Sequence, residues 1–469
     1  MGEKRTVFLG PLPVPQNSDS QINVREVPTI DSADYMRRID TLFSKCRETY
    51  DYVIIYGDRE HYTNIEYFTG YDPRFEESIL ILSEGKKPIL VVGNEGAEYA
   101  NIVPFPINIE RFSFFSLPKQ PSESVKSLTK IFSDAGLYHG SRVGILGWKL
   151  FESGQFPEDK CFDLPYFIMS ELVDLVGIKN IRNANSLMID SENGLLHNLD
   201  AKELVLAEVA GFKISRSVYR VLKNLRVGIT EVEASGYLNI NGEPCSIHPN
   251  VNFGSNVFYG VASPTYSRTL CCGDLVAVGM GQRRALIHRV GLYIEDFDEL
   301  DPEYSSRVKR YYETYFRALS TWYESIAIGV KGGEVYEKID TLLGGLRTFG
   351  IGLNPGHSIQ TAEWVSSPFY KGSEEKLHSG MMIQCDFTAS RKADNLSIHA
   401  EDGIIIADED LRMEMEKISP SCMKRIKNRK AFMRDVLGIK IADEVLPTSD
   451  LCGVVFPCMK NPSMGYRFA

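Results

Sequence analysis

"GDLVAVGMGQRRALIHRVGLY", Gly273–Tyr293, reads as two β-strands joined by a tight connection. Side chains alternate along a strand, so Ala277, Gly279 and Gly281 share one face of the first run, and His288 and Val290 share one face of the second. This inward face carries almost no charge and, on the first strand, almost no side chain. If the hairpin lines an active site, His288 is its one polar candidate on this face, and the rest of the chemistry must come from other segments.

The surrounding chain fits a soluble, multidomain protein. At 469 residues it is too long for one ordinary domain, and 43% hydrophobic with 24% charged residues is a globular composition. No apolar run approaches the ~18 residues of a membrane span. The start, Met1-Gly2 followed by a short apolar stretch and Pro-rich sequence, lacks a signal-peptide core and has no Ser or Thr where a myristoylation signal needs one. A net charge of −10 disfavours nucleic acid and anionic membranes as partners. The one basic run, Met423–Lys430, is expected on the solvated face of a helix. Nine scattered cysteines without a CxxC pair point to reduced thiols and a cytoplasmic location.

Residues 28 to 185 alternate helical patterns with short apolar runs (YDYVIIYG, SILILSE, KPILVVG, RVGILGW), as expected of an α/β domain with buried strands. From Leu199 onward the pattern changes. Val205, Val209, Phe212, Tyr219 and Leu222 mark one face of a long helix, and Tyr312, Phe316, Leu319, Trp322 and Ile326 mark another. Each helix leads into a similar helix-Gly-helix segment, Leu225–Leu238 around Gly228 and Ile326–Ile339 around Gly329. Two such halves about a hundred residues apart predict a pseudo-symmetric domain around an antiparallel sheet. The expected fold class is α+β, with domains at 1–185 and 186–408 and a C-terminal extension at 409–469.

In this layout five motifs occur in a recognisable order: NIEYFTGYDPRFEESILIL (Asn64–Leu82), LCCGDLV, Pro355-Gly356-His357, Gly380-Met381 and HAEDGIII. Together they resemble the creatinase, prolidase and methionine-aminopeptidase superfamily, whose catalytic domain has the pita-bread fold. The resemblance covers most of residues 35 to 407. It implies a creatinase-like N-terminal domain and a site at which family metallopeptidases hold two metal ions with two Asp, one His and two Glu. Bridging carboxylates suit that chemistry, because paired cations lower the pKa of a shared water until it attacks at neutral pH. Carried over by position, the two Asp fall on Gly279 and Val290, the His on His357, and the Glu pair on Asp386 and Glu401. Two further family histidines fall near Val261 and Trp364.

Two of the five ligands are therefore absent, and a two-metal aminopeptidase is not expected. His357, Asp386 and Glu401 would suffice for at most one divalent ion, or for acid–base catalysis with none. His288 shares a face with Val290 and His399 with Glu401, which adds two candidate catalytic groups. The resemblance also implies a homodimer in which a loop carrying Tyr71, Arg74 and Phe75 reaches the partner's pocket. There Arg74 would grip a substrate carboxylate through its fork of donors. The expected activity is a non-standard hydrolase or lyase acting on a small carboxylate-bearing C–N substrate. The competing expectation is a non-catalytic pseudo-peptidase that binds a ligand or protein.

Overall fold

The computed structural model describes residues 5–17, 19–122, 126–151, 157 and 160–469. Met1-Gly2, considered above as a lipidation signal, lies outside the described residues. The chain forms two compact units, Thr29–Leu196 and a second in which Met1–Pro28 joins His197–Ala469. The opening residues thus belong to the second unit, not to an N-terminal domain over 1–185. Strand β1 (Val7–Pro11) pairs antiparallel with the last strand of the chain, Met464–Phe468.

In the unit Thr29–Leu196, six strands form one mixed sheet: β2 (Tyr52–Gly57), β3 (Ser78–Leu82), β4 (Ile89–Val92), β5 (Asn108–Arg111), β6 (Val143–Leu146) and β7 (Ile181–Asn183). Their order is β5-β4-β3-β2-β6-β7. The apolar runs seen in the sequence are these central strands. Ile54, Ile79, Val91 and Ile145 pack with Phe132, Ile168 and Leu172 from flanking helices into one core.

The second unit is built on β8 (Cys245–Phe253), β9 (Leu275–Gln282), β10 (Ala285–Leu292), β11 (His357–Ser358), β12 (Met382–Cys385), β13 (Ala389–Arg391), β14 (Leu396–Ile406), β15 (Val445–Pro447) and β16 (Met464–Phe468). The central path is β11-β12-β14-β10-β9-β8, with β13 and β15 also pairing with β14. Every pairing here is antiparallel. The β9–β10 hairpin turns through Arg283 and Arg284 alone, and only Arg284, the second of the two, takes the left-handed conformation (φ 73°), as in a type II turn.

The internal repeat is explicit in the hydrogen bonds. Helices Ala201–Asn224 and Pro302–Ser325 are both 24 residues long, the first started by an Asp200/Glu203 capping box and the second by Asp301 with Pro302 at its first position. Each is followed by a glycine at φ 86°, Gly228 or Gly329, where a side chain would be strained. Gly228 N donates to Leu270 O and Gly329 N to Leu377 O, both at 2.8 Å. Leu270 N returns to Ile229 O and Leu377 N to Val330 O, both at 2.9 Å.

Residues 409–469 are not an appendage. β15 extends the central sheet along β14, and the helix Pro420–Phe432 packs on Ala201–Asn224. The basic run Met423–Lys430 lies on that helix, but only part of it meets solvent. Arg425 and Arg429 are buried, where Arg425 Nε meets Glu208 at 2.8 Å and Arg429 meets Glu208 at 2.6 Å and Asp450 at 2.7 Å. Two carboxylates distant in sequence make this burial possible, since an unpaired buried guanidinium would be prohibitive. No helix among the described residues is long and apolar enough to cross a membrane.

Candidate functional site

The hairpin face that looked empty in sequence lines a cavity of about 420 Å³. Ala277 stands opposite Val290 and Gly279 opposite His288, so the second strand fills part of what the first leaves open. A Cβ built on Gly279 would overlap His288 Cδ2 and lie 3.0 Å from its Cγ. The imidazole therefore uses the volume in which a side chain at 279 would sit.

His288, His399, Asp386, His357 and Glu401 all gather here, each placed by the central sheet. His288 is on β10, directly across from Glu401 on β14. His399 precedes Glu401 by two residues and shares its face, Asp386 follows β12, and His357 opens β11. Behind them Arg289 is wholly buried and fixes the backbone of the site. It donates to the carbonyls of His288 (2.8 Å) and Glu401 (2.7 Å) and pairs with Asp402 at 2.7 Å.

A chain of hydrogen bonds runs along the pocket floor. Asn250 Nδ2 donates to Gly260 O, which leaves its Oδ1 to accept from His288 Nε2 at 3.1 Å. His288 Nδ1 meets His399 Nδ1 at 2.7 Å, and His399 Nε2 meets Asp386 Oδ1 at 2.9 Å. Three bonds need three protons, and two neutral imidazoles carry only two. Burial, reinforced by His399, holds His288 well below the usual histidine range. Burial pushes the Asp386 carboxyl up, but the His399 bond and the nearby imidazoles outweigh it and keep Asp386 below its ordinary value. With His288 held neutral and Asp386 kept ionised, Asp386 Oδ1 accepts from His399 Nε2.

His357 is different. Its Nδ1 donates to Ser358 O at 3.1 Å, so a neutral ring turns the lone pair of Nε2 toward Asp386 and Glu401. Burial holds His357 below its usual range, partly offset by Asp386. Nε2 lies 3.6 Å from Asp386 Oδ2 and 3.7 Å from Glu401 Oε1, beyond hydrogen-bond reach of either. Glu401 Oε1 is buried without a hydrogen-bond partner. Burial, then Asp386 and Glu363, raise the Glu401 carboxyl well above its ordinary range. Three electron-pair donors thus converge within 4.8 Å of one another, the only such group among the described residues. This spacing suits one bound cation or one proton.

Two site residues were missed in the sequence. Asn250 sits on β8, and nothing in a lone Asn announces its role. Glu363 precedes Trp364 in the loop after β11 and lines the same cavity, its carboxyl pushed up to about 7 by burial and by Asp386. Val261 and Trp364, where two family histidines were expected, both line the pocket, and Trp364 stacks on His357 with ring centroids 5.7 Å apart. Tyr71, Arg74 and Phe75 lie in the unit Thr29–Leu196. Tyr71 is 2% exposed and packs on Tyr99, so its ring is committed to its own core. Arg74 pairs with Asp72, and Phe75 is exposed.

No protein-family model matches the chain, and no curated protein matches its sequence. Solved structures do. A prolidase from Thermococcus sibiricus superposes with a TM-score of 0.63 at 17% identity, covering 80% of this chain and 95% of the other. An Xaa-Pro dipeptidase from Bacillus anthracis gives 0.60 at 15%, with 80% and 96% covered. An X-Pro aminopeptidase from Thermotoga maritima gives 0.60 at 16%, with 80% and 95% covered. At these identities the likeness is one of fold: the chain has the α+β pita-bread architecture of these peptidases.

Proposed function

We propose that this protein is a hydrolase or lyase that cleaves a C–N bond in a small carboxylate-bearing substrate without a pair of metal ions. The observation that carries the reading is the His357 Nε2 lone pair, 3.6 Å from Asp386 and 3.7 Å from Glu401, two carboxyl groups that line a pocket of about 420 Å³. His357 Nε2 takes a proton from water as its oxygen attacks carbon, and the ionised Asp386 beside it stabilises the imidazolium that forms. Glu401, kept protonated by burial, delivers a proton to the departing nitrogen. His399 holds Asp386 in place and in its charged form.

Two metal ions do not fit this site. Gly279 and Val290 offer no donor atoms, and the first ligand position is taken up by His288. The remaining carboxylates would leave two dications under-neutralised. One divalent ion does fit: His357, Asp386 and Glu401 would hold it, and it would supply Lewis acidity to a bound water or carbonyl. The pocket lining contains no Lys or Arg, which supports a cation from outside it for the substrate carboxylate. Arg74 of a second copy, with Phe75, is proposed for that role in a cytoplasmic homodimer.

The test is turnover of Xaa-Pro dipeptides, N-acyl, N-carbamoyl and N-guanidino acids by the full chain, with a chelator and with added Mn. Turnover that falls about 10²–10⁴-fold in His357→Asn supports the reading. A chain that binds members of the panel and turns over none is instead a non-catalytic binding module, a reading favoured by the exposed apolar residues Val261, Leu353 and Trp364 at the pocket.

A further inference from the structure

Glu363 is half-buried, lines the cavity and has no hydrogen-bond or ion-pair partner among the described residues. Every other acidic group of the lining has a histidine within 3.7 Å: Asp386 has His399 and His357, and Glu401 has His357. No Lys or Arg of the lining is available to neutralise Glu363. Next to it in sequence, Trp364 lines the same cavity, stacked on His357 yet 55% exposed. Val257, Val261 and Leu353 line the same cavity with apolar side chains.

A carboxylate without a partner and an exposed indole are the two elements by which proteins recognise organic ammonium groups. The carboxylate supplies charge and a hydrogen-bond acceptor, and indole is the strongest aromatic partner for a cation. We infer that Glu363 and Trp364 form a subsite for the ammonium group of the ligand, so that the pocket selects small primary or secondary amines with an apolar body. This deepens the reading of the pocket as a substrate site and rests on it. A substrate carboxylate, if present, then lies at the opposite end of the molecule from the amine. The raised carboxyl of Glu363 agrees with an acid that lacks its counter-ion in the free protein.

Three probes with the same phenylethyl body separate the possibilities: 2-phenylethylamine, its isostere 2-phenylethanol, and 3-phenylpropionate. Their dissociation constants are measured on the full chain by calorimetry at about pH 8, above the Glu363 range, with a chelator present so that no amine–metal contact contributes. The amine should bind about tenfold tighter than the alcohol, a difference of about 1.4 kcal/mol. Glu363→Gln should erase that difference while leaving the alcohol unchanged, which also shows that the variant is folded. Trp364→Leu should weaken the amine. The inference fails if the carboxylate binds best, if amine and alcohol bind equally, if the preference survives Glu363→Gln, or if none of the three binds at millimolar concentration. His357→Asn separates the two readings. It removes turnover if the proposed catalysis is right, but the amine preference should persist in it whether or not turnover is ever found.

Discussion

His288 and Gly279 stand directly opposite one another in the β9–β10 hairpin, and the imidazole occupies the volume that any side chain at 279 would need. The bare backbone at 279 and the histidine at 288 are thus two sides of one packing arrangement. Gly279→Ala should destabilise the fold by about 1–3 kcal/mol, the range for overpacking a filled core site. Combined with His288→Ala it should cost less than the two single changes summed. Denaturant unfolding of the four proteins of the cycle measures this, and additive effects would contradict the collision.

The same geometry predicts that Gly279→Asp with Val290→Asp will not restore a peptidase. A carboxylate introduced at position 279 would have to displace His288, and Val261 and Trp364 stand where flanking histidines would be needed. Two added charges beside Asp386 and Glu401 should destabilise the protein by several kcal/mol unless neutralised. Xaa-Pro and Met-Xaa dipeptide assays with Mn or Co check the point, and strong metal-dependent turnover would refute it.

Metal content follows from the three-donor cluster. After incubation with Mn, Co or Zn and removal of excess ion, elemental analysis should find no more than one equivalent per chain. Any such binding should be lost in Glu401→Gln. Two equivalents would mean that donors outside His357, Asp386 and Glu401 have been overlooked.

Arg289 and Asp402 form a wholly buried pair whose guanidinium also holds the carbonyls of His288 and Glu401. Asp402→Asn leaves that charge uncompensated and should cost about 3–5 kcal/mol. Because the pair sits behind the site, the variant should also lose ligand affinity. A stability loss below about 1 kcal/mol, the value of a surface pair, would show that water reaches the guanidinium.

Glu363 gives a pH signature. Its carboxyl rises from an ordinary 4.5 to about 7 on folding, because burial and Asp386 disfavour the anion. Below about pH 4.5 both states hold the proton; between there and about 7 the unfolded chain releases it and the folded chain does not. The folded state therefore loses stability as pH rises through this window. Glu363→Gln should match the wild type at about pH 4 and unfold at a higher temperature at about pH 8. Equal melting temperatures at both pH values would argue that the carboxylate is fully solvated.

What the sequence revealed and what it concealed divide along physical lines. Period-two alternation in Gly273–Tyr293 and the paired glycines 228 and 329 are local signals, and the hairpin and the repeat follow from them. His357, Asp386 and Glu401 could be placed by motif order. The bond between His288 and His399 could not, because it joins residues 111 positions apart through ring nitrogens whose roles depend on Asn250. Arg425 and Arg429 read as surface charge because their partners, Glu208 and Asp450, are remote. β1 was invisible for a similar reason: VFLGP has no periodicity of its own and becomes a strand only against Met464–Phe468.

That last pairing bears on how the molecule is made. Val7 is made about 460 residues before its partner Phe468, which at typical elongation rates is roughly half a minute to a minute and a half. Once Leu196 has been made, well within that interval, Thr29–Leu196, whose strands pair only among themselves, has every strand partner it needs. The β1–β16 ladder of the second unit cannot form until Phe468 has been made, so β1 stays without its strand partner for the whole of that interval.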